Sequence, residues 1–358
     1  MKNTFGNSIS VTLFGESHSS HIGAVLDGMP AGIKVNEDFI RHQLSLRRPF
    51  SDISTARIET DNFQIVSGVF NGKTTGTPIC IIIENTSQIS SDYEAYKTIA
   101  RPSHADYTAH CKYNGFEDYR GGGHFSGRIT AALVAVGAIV ISALKEKNIH
   151  IGTHIKRCAG IEDKPFSDLS QDVDRLNSMQ FAVNDEVAGK LMQEKILQAK
   201  NEGDSVGGIL ETAVIGLPAG IGEPWFDSLE GQLSHILFSV PSIKGVEFGA
   251  GFGIADMYGS QANDVFRISD GKIITETNNN GGINGGISNG MPIIFRCAVK
   301  PTPSICKEQN TVDFVRMENT KIQVSGRHDP AIIHRARVVI DSVTALAIYD
   351  LGSEIIGK

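Results

Sequence analysis

The chain repeats itself, and the repeat limits the folds open to it. Gly28-Met29-Pro30-Ala31-Gly32-Ile33 returns as Gly216-Leu217-Pro218-Ala219-Gly220-Ile221, behind the strand-like runs Ile22 to Leu26 and Val206 to Ile215. Gly76-Thr77-Pro78-Ile79 and Gly290-Met291-Pro292-Ile293 open two more apolar runs in the same order. Two matched pairs in one order imply an internal duplication. The expectation is a single domain over residues 1–358, with pseudo-repeats spanning roughly 1–150 and 200–358. Helical segments interleave with strands throughout. Ser126 or Gly127 starts an apolar helix through Leu144, Asn184 is the expected cap of a helix ending near Glu202, and Leu229–Phe238 and Val338–Leu351 read as two more. Ile79–Ile83, Ile209–Ile215 and Ile293–Val299 read as strands, and the glycine tract Asn278–Gly286 as a loop between strands. A layered α/β or α+β sandwich follows.

Composition narrows the function. The net charge of −7 and the lack of a long basic run argue against a nucleic-acid binder, and one Trp and seven Tyr give little for bases to stack on. Five cysteines without a CxxC pair argue against a disulfide framework and suit a reducing, cytoplasmic setting. The most apolar segment, Ile129–Leu144, is short for a bilayer span and rich in alanine, so it is expected to be a core helix and no membrane partner is expected.

Four polar clusters sit on glycine- or proline-bent backbone: Gly15-Glu16-Ser17-His18, Arg101-Pro102-Ser103-His104-Ala105-Asp106, Gly121-Gly122-Gly123-His124-Phe125-Ser126-Gly127-Arg128, and Gly326-Arg327-His328-Asp329-Pro330. Loops of this kind more often bind than pack. Brought together, they form a pocket of histidines, an aspartate and arginines, suited to a small anionic substrate that needs protons moved. The glycine run leading into a helix is an anion-binding arrangement, and it is neither a Walker loop nor GxGxxG. For its glycines alone a tight turn is an equal reading, and Arg120 and Arg128 favour the ligand. Lys300-Pro301-Thr302-Pro303-Ser304 fits a phosphate or a plain strand-exit turn. Arg47 and Arg48 taken alone read as a solvated helix end. His18, His104 and Asp329 are the acid–base candidates. His18 with His21, and His104 with Asp106, have metal-like spacings but lack a third fixed ligand, so no metal is expected.

In combination these segments resemble chorismate synthase, in order and spacing, over nearly the whole chain. The likeness takes in Tyr119-Arg120-Gly121, Glu202-Gly203-Asp204-Ser205 and Gly281-Gly282-Ile283-Asn284-Gly285-Gly286. It implies a β-α-β sandwich of two similar halves, a homotetramer, and a phosphate lyase that turns 5-enolpyruvylshikimate 3-phosphate into chorismate with reduced FMN. By motif match, His18 would protonate the departing phosphate, His104 would serve flavin N1, and Asp329 would act as base near N5. Arg47, Arg101, Arg128 and Arg327 would hold the substrate. FMN would contact His124, Phe125, Ser126, Pro241, Ser242, Gly285, Lys300, Pro301, Thr302, Pro303, Ser304 and Arg327. Some members of the family carry an NADPH-dependent flavin reductase activity. No reductase domain or nucleotide fingerprint is visible here, so an external flavin reductase is the expected source.

Several positions depart from the family pattern. His124 and Leu133 stand where arginines are usual, Phe50-Ser51-Asp52-Ile53 replaces Gly-x-x-Arg, and Ser19 and Ser103 replace glycines. Two other readings therefore accompany the lyase. One is a divergent flavin- or anion-binding paralogue, non-catalytic or altered in substrate; the other is a metal-dependent hydrolase.

Overall fold

Isoleucine- and valine-rich strands form two sheets, and the most apolar helices lie between them. A computed structural model describes residues 2–55, 60–86, 96–324 and 328–356. The first part of the chain gives β1 (Thr4–Phe5), β2 (Ser10–Gly15), β3 (His21–Asp27), α1 (Glu37–Arg47) and β4 (Phe63–Ser67). A small hairpin follows, β5 (Val69–Phe70) with β6 (Lys73–Thr74), then β7 (Ile79–Glu84), α2 (Asp106–Tyr113) and α3 (Thr130–Glu146). Next come β8 (His150–Cys158), β9 (Ile161–Glu162), α4 (Leu169–Asn177), α5 (Glu186–Asn201), β10 (Gly208–Ile215), α6 (Leu229–Ser239) and β11 (Ile243–Phe248). After the short α7 (Gly259–Ala262) come the hairpins β12 (Phe266–Ser269) with β13 (Lys272–Thr275), and β14 (Ile283–Asn284) with β15 (Ile287–Ser288). The chain closes with β16 (Ile293–Val299), the hairpin β17 (Gln309–Asp313) with β18 (Glu318–Ile322), and α8 (Ile333–Ile356).

The strand order is β1-β2-β3-β7-β4 in one sheet and β11-β16-β10-β8-β9 in the other, with antiparallel neighbours throughout. Helices α3 and α8 pack on each other between the sheets, flanked by α1 and α6. α3 is buried on all sides, from Thr130 to Leu144, as expected of a core helix. Its length and apolarity would let it cross a membrane, but 83% of the apolar window is buried inside the protein. α4 covers the outer face of the second sheet, where Gly152 of β8 lets Val173 approach.

α3 and α8 run in the same direction. Arg47 at the end of α1 donates to Gly127 O just ahead of α3, and Arg335 in the first turn of α8 donates to Arg47 O at 2.8 Å. Further along, Gly137 of α3 faces Ser342 of α8 so closely that a Cβ at Gly137 would stand 2.5 Å from Ser342 Cβ. Two positive helix N-termini therefore open at the same end of the sandwich.

Sequence expectations differ from the structure in a few places. Asp185, not Asn184, caps α5: the Asp185 side chain accepts from Val187 N–H, while the Asn184 side chain accepts from Arg175 and donates to Lys164 O. α8 begins five residues earlier than expected, at Ile333. The glycine tract contains β14 and the turn of the β14–β15 hairpin instead of being wholly loop.

The second sheet also buries charge. His154 Nδ1 lies 2.7 Å from Asp163 and Nε2 lies 3.0 Å from Glu211. Burial alone would lower the His154 pKa, but the two carboxylates outweigh it and raise it above the ordinary 6.5. A histidine raised in the fold gives stability that is complete below its unfolded pKa and is lost as pH rises through its folded pKa. The wild-type melting temperature should therefore fall relative to His154→Gln as pH rises from 6.5 upward, read by scanning calorimetry. In urea titrations, Gly137→Ala should cost about 1–3 kcal/mol by forcing α3 from α8, and Ser342→Gly should recover part of that loss.

Candidate active site

The end of the sandwich where α3 and α8 begin collects most of the chemistry-bearing loops. Gly121, Gly122 and Gly123 have φ of 60°, 83° and 53°, a left-handed run that side chains disfavour. The bend matters because two imidazoles press on it. A Cβ at Gly121 would lie 2.5 Å from His18 Cδ2, and one at Gly122 would lie 3.3 Å from His104 Cε1. Ser17 N–H donates to Gly123 O, and His124 Nδ1 lies 2.8 Å from Gly15 O, so the glycine loop is tied to the His18 turn. Ser19, a glycine in the family pattern, braces that turn through Glu16 N–H, Glu16 O and His21 O. His18 is thus buried and held in place beside the start of α3.

Beneath these loops lies a buried cationic frame. Asp61 accepts from both Arg47 and Arg128, and all three are nearly inaccessible to solvent. Arg47 also reaches Thr130 Oγ1 at 2.9 Å, and Arg128 reaches Asn85 Oδ1 at 3.0 Å. Arg47 and Arg128 thus converge on one carboxylate beside the N-terminus of α3. Asp329 sits at the approach to α8, where Arg335 pairs with it and Thr55 N–H donates to it at 2.8 Å. Because Arg335 also donates to Arg47 O, Asp329 and the Arg47 frame are two contacts apart. Arg327 lies outside the described residues.

The 101–106 loop forms the opposite wall. Asp106 takes a two-pronged bond from Arg101 and lies 2.7 Å from His104 Nδ1. Burial would raise the Asp106 pKa, but hydrogen bonds and charge from Arg101 and His104 hold it well below the usual carboxylate range. Arg101, His104, Gly122, His124 and Phe125 line a cavity of about 330 Å³, together with Tyr113 and with Phe314 of the β17–β18 hairpin. Lys300 reaches the same loop from the second sheet, its Nζ donating to Ser103 O at 2.6 Å. Burial, with Lys244 nearby, lowers the Lys300 pKa. Ser103 has φ of 59°, the conformation its usual glycine would adopt freely.

Several side chains fit a flavin phosphate and ring. Ser242 O accepts from Lys300 N–H, which places the Pro241-Ser242 turn beside Lys300-Pro301-Thr302-Pro303-Ser304. Thr302 Oγ1 and Ser17 Oγ are buried without a hydrogen-bond partner among the described residues, as donors awaiting acceptor oxygens would be. Gly285 is elsewhere. It tips the β14–β15 hairpin, whose Gly286 packs on Ser228 at the start of α6, whereas Lys300 lies beyond the other end of β16.

The positions that depart from the family pattern serve other contacts. Leu133 is core within α3. Ile53 is buried, and Ser54 Oγ holds Phe50 and lies 2.8 Å from His334 Nε2. Burial and the nearby Arg335 charge push the His334 pKa down to about 4, so this tie is made by a neutral ring. Among the described residues no group of three or more His, Cys, Asp or Glu could hold a metal.

Sequence reading passed over Asp61 and Arg335 because neither lies in a glycine-bent cluster. The signal for Asp61 was indirect: two arginines destined for burial require a counter-ion.

A family model described as chorismate synthase matches residues 9–352. The chorismate synthase of Methanobrevibacter smithii is 48% identical over 353 residues, 98% of this chain and 96% of that one. That of Thermococcus kodakarensis is 44% identical over 345 residues, 96% of each. A solved structure described as a crystal structure of chorismate synthase aligns with a TM-score of 0.76 at 28% identity, covering 98% of this chain and 93% of the other. With matches of this extent, the chain belongs to the chorismate synthase family.

Proposed function

We propose that the chain catalyses the 1,4-anti elimination of phosphate from 5-enolpyruvylshikimate 3-phosphate to give chorismate, with reduced FMN bound at the site. The observation that carries this reading is the gathering of His18, His104, Arg47, Arg128 and two helix N-termini at one end of the sandwich. A substrate with one phosphate and two carboxylates needs concentrated positive charge in a protein whose net charge is −7. The Arg47–Asp61–Arg128 frame and the dipoles of α3 and α8 supply it.

Reduced FMN, when bound, lends electron density to the allylic system as phosphate departs. His18 gives its proton to the leaving phosphate oxygen. His104 holds a proton at the flavin N1 edge. Asp329, kept in place by Arg335 and Thr55 N–H, is the base that finally receives the ring hydrogen as a proton. A C–O and a C–H bond break, one C=C bond forms, and the substrate undergoes no net oxidation. His124 to Ser126, Pro241, Ser242, Lys300 to Ser304 and Arg327 would hold the cofactor. Gly285 lies roughly 20 Å from Lys300 by the rise of the intervening strand, so its contribution would come from a neighbouring copy in a homotetramer. Reduced flavin would come from an external reductase in the cytoplasm.

The duplication belongs to the same reading. Thr74 Oγ1 donates to Pro30 O and accepts from Ile33 N–H; Ser288 Oγ donates to Pro218 O and accepts from Ile221 N–H. Gly28 with φ of 85° packs on Ser8 O, and Gly216 with φ of 80° packs on Asn148 O. By these matches β2-β3-α1-β4-β7-α3 corresponds to β8-β10-α6-β11-β16-α8. The second unit then starts near Ile149 rather than near residue 200, with α4 and α5 as an insertion.

The test is anaerobic. Purified protein with chemically reduced FMN and substrate should release phosphate and form chorismate. His104→Ala and Asp329→Ala should each lower kcat by about 10²–10⁴-fold while leaving the circular dichroism spectrum intact. Flavin binding without turnover in the wild type would sink the lyase reading and favour the non-catalytic paralogue.

A further inference from the structure

We propose that Asp106 is a positioning residue that fixes the tautomer and aim of His104, and that Arg101 serves this pair instead of the substrate. The inference rests on the function proposed above for His104. Asp106 opens α2, and both its oxygens are filled. Oδ1 lies 2.7 Å from His104 Nδ1 and 2.7 Å from Arg101 Nη2. Oδ2 accepts from Arg101 Nε at 2.8 Å and from Arg101 backbone N–H at 3.0 Å.

The tautomer follows from what each atom can do. An ionised carboxylate only accepts, so at 2.7 Å the imidazole nitrogen facing it must carry a hydrogen. Arg101 Nη2 also approaches Nδ1, at 3.1 Å, but a guanidinium only donates. The two are donors side by side on one shared oxygen. With the proton fixed on Nδ1, Nε2 is the nitrogen that gives and takes protons. It is the nitrogen turned to the glycine loop, 3.4 Å from where a Cβ on Gly122 would stand.

The rest of the loop supports this arrangement. Arg101 is only 9% exposed and spends Nε and Nη2 on Asp106, so turning its fork to a substrate carboxylate would strip the half-buried Asp106 of two donors. Lys300 anchors Ser103 O one residue before the imidazole, and Ser103 takes the left-handed conformation that turns the ring inward. When Nε2 gives up its proton, its electron pair stays on the ring and Nδ1–H remains on Asp106. The imidazole returns to its starting tautomer without flipping.

The test uses the whole protein labelled with ¹⁵N-histidine, with the His104 signals identified by their loss in His104→Gln. In the neutral wild-type ring the nitrogen shifts should place the proton on Nδ1, and in Asp106→Asn they should move toward a mixture or toward Nε2–H. Asp106→Asn should lower kcat about 10²-fold while KM for the substrate stays within about threefold. Arg101→Lys should follow the same pattern; a rise in KM at unchanged kcat would return Arg101 to the substrate and overturn its assignment here. An Nε2–H tautomer in the wild type, or unchanged kcat in Asp106→Asn, overturns the role of Asp106. The nitrogen shifts need no substrate. A wild-type chain with His104 protonated on Nδ1 but no elimination activity would therefore overturn the proposed reaction while upholding this placement.

Discussion

One carboxylate, Asp61, lies between two buried guanidinium groups, and the functional end of the molecule is organised around it. Asp61 pairs with both Arg47 and Arg128 at the positive end of α3, in a medium where charges are poorly screened. Removing one member of a buried ion pair typically costs about 3–5 kcal/mol, because a buried charge loses its counter-ion. The frame also joins chain segments far apart in sequence. Arg47 ends α1, Arg128 precedes α3, and the Arg47 carbonyl receives Arg335 from α8. Asp329 is thereby held within two contacts of Arg47.

Glycine does the complementary work of close approach. The Gly121–Gly123 run lets two imidazoles touch one loop, and Gly137 lets two core helices run side by side. The second closeness produces the first effect at a distance. Because α3 and α8 are in register and parallel, the loops that precede them meet. Ser103 shows the limit of the rule: a serine holds a left-handed conformation there, with Lys300 gripping its carbonyl.

Much of this was legible in the residues. The apolar run from Ile129 marked a core helix. The acid–base clusters were visible because glycine and proline flank them. What escaped the sequence were partnerships between distant segments. The pairing of Asp61 with two arginines is set by tertiary packing, and its local sequence, Thr60-Asp61-Asn62, carries no motif. The cap of α5 was misplaced by one residue because Arg175 and the Lys164 carbonyl take the Asn184 side chain. Arg101 is a substrate-binding candidate by resemblance, and a carboxylate only five residues on takes its Nε and Nη2.

The parallel core helices give the sandwich two unlike poles. One holds the reactive loops. The other holds the C-termini of α3 and α8, the hairpin tips near Gly72 and Gly285, and the segment from Gly249 to Gly281, which exposes Phe252, Tyr258 and Ile268. Chain added at that pole leaves the starts of α3 and α8 where they are. Descendants of such an architecture can therefore grow, decorate or reshape one extremity over evolutionary time while the opposite extremity keeps its atomic spacing.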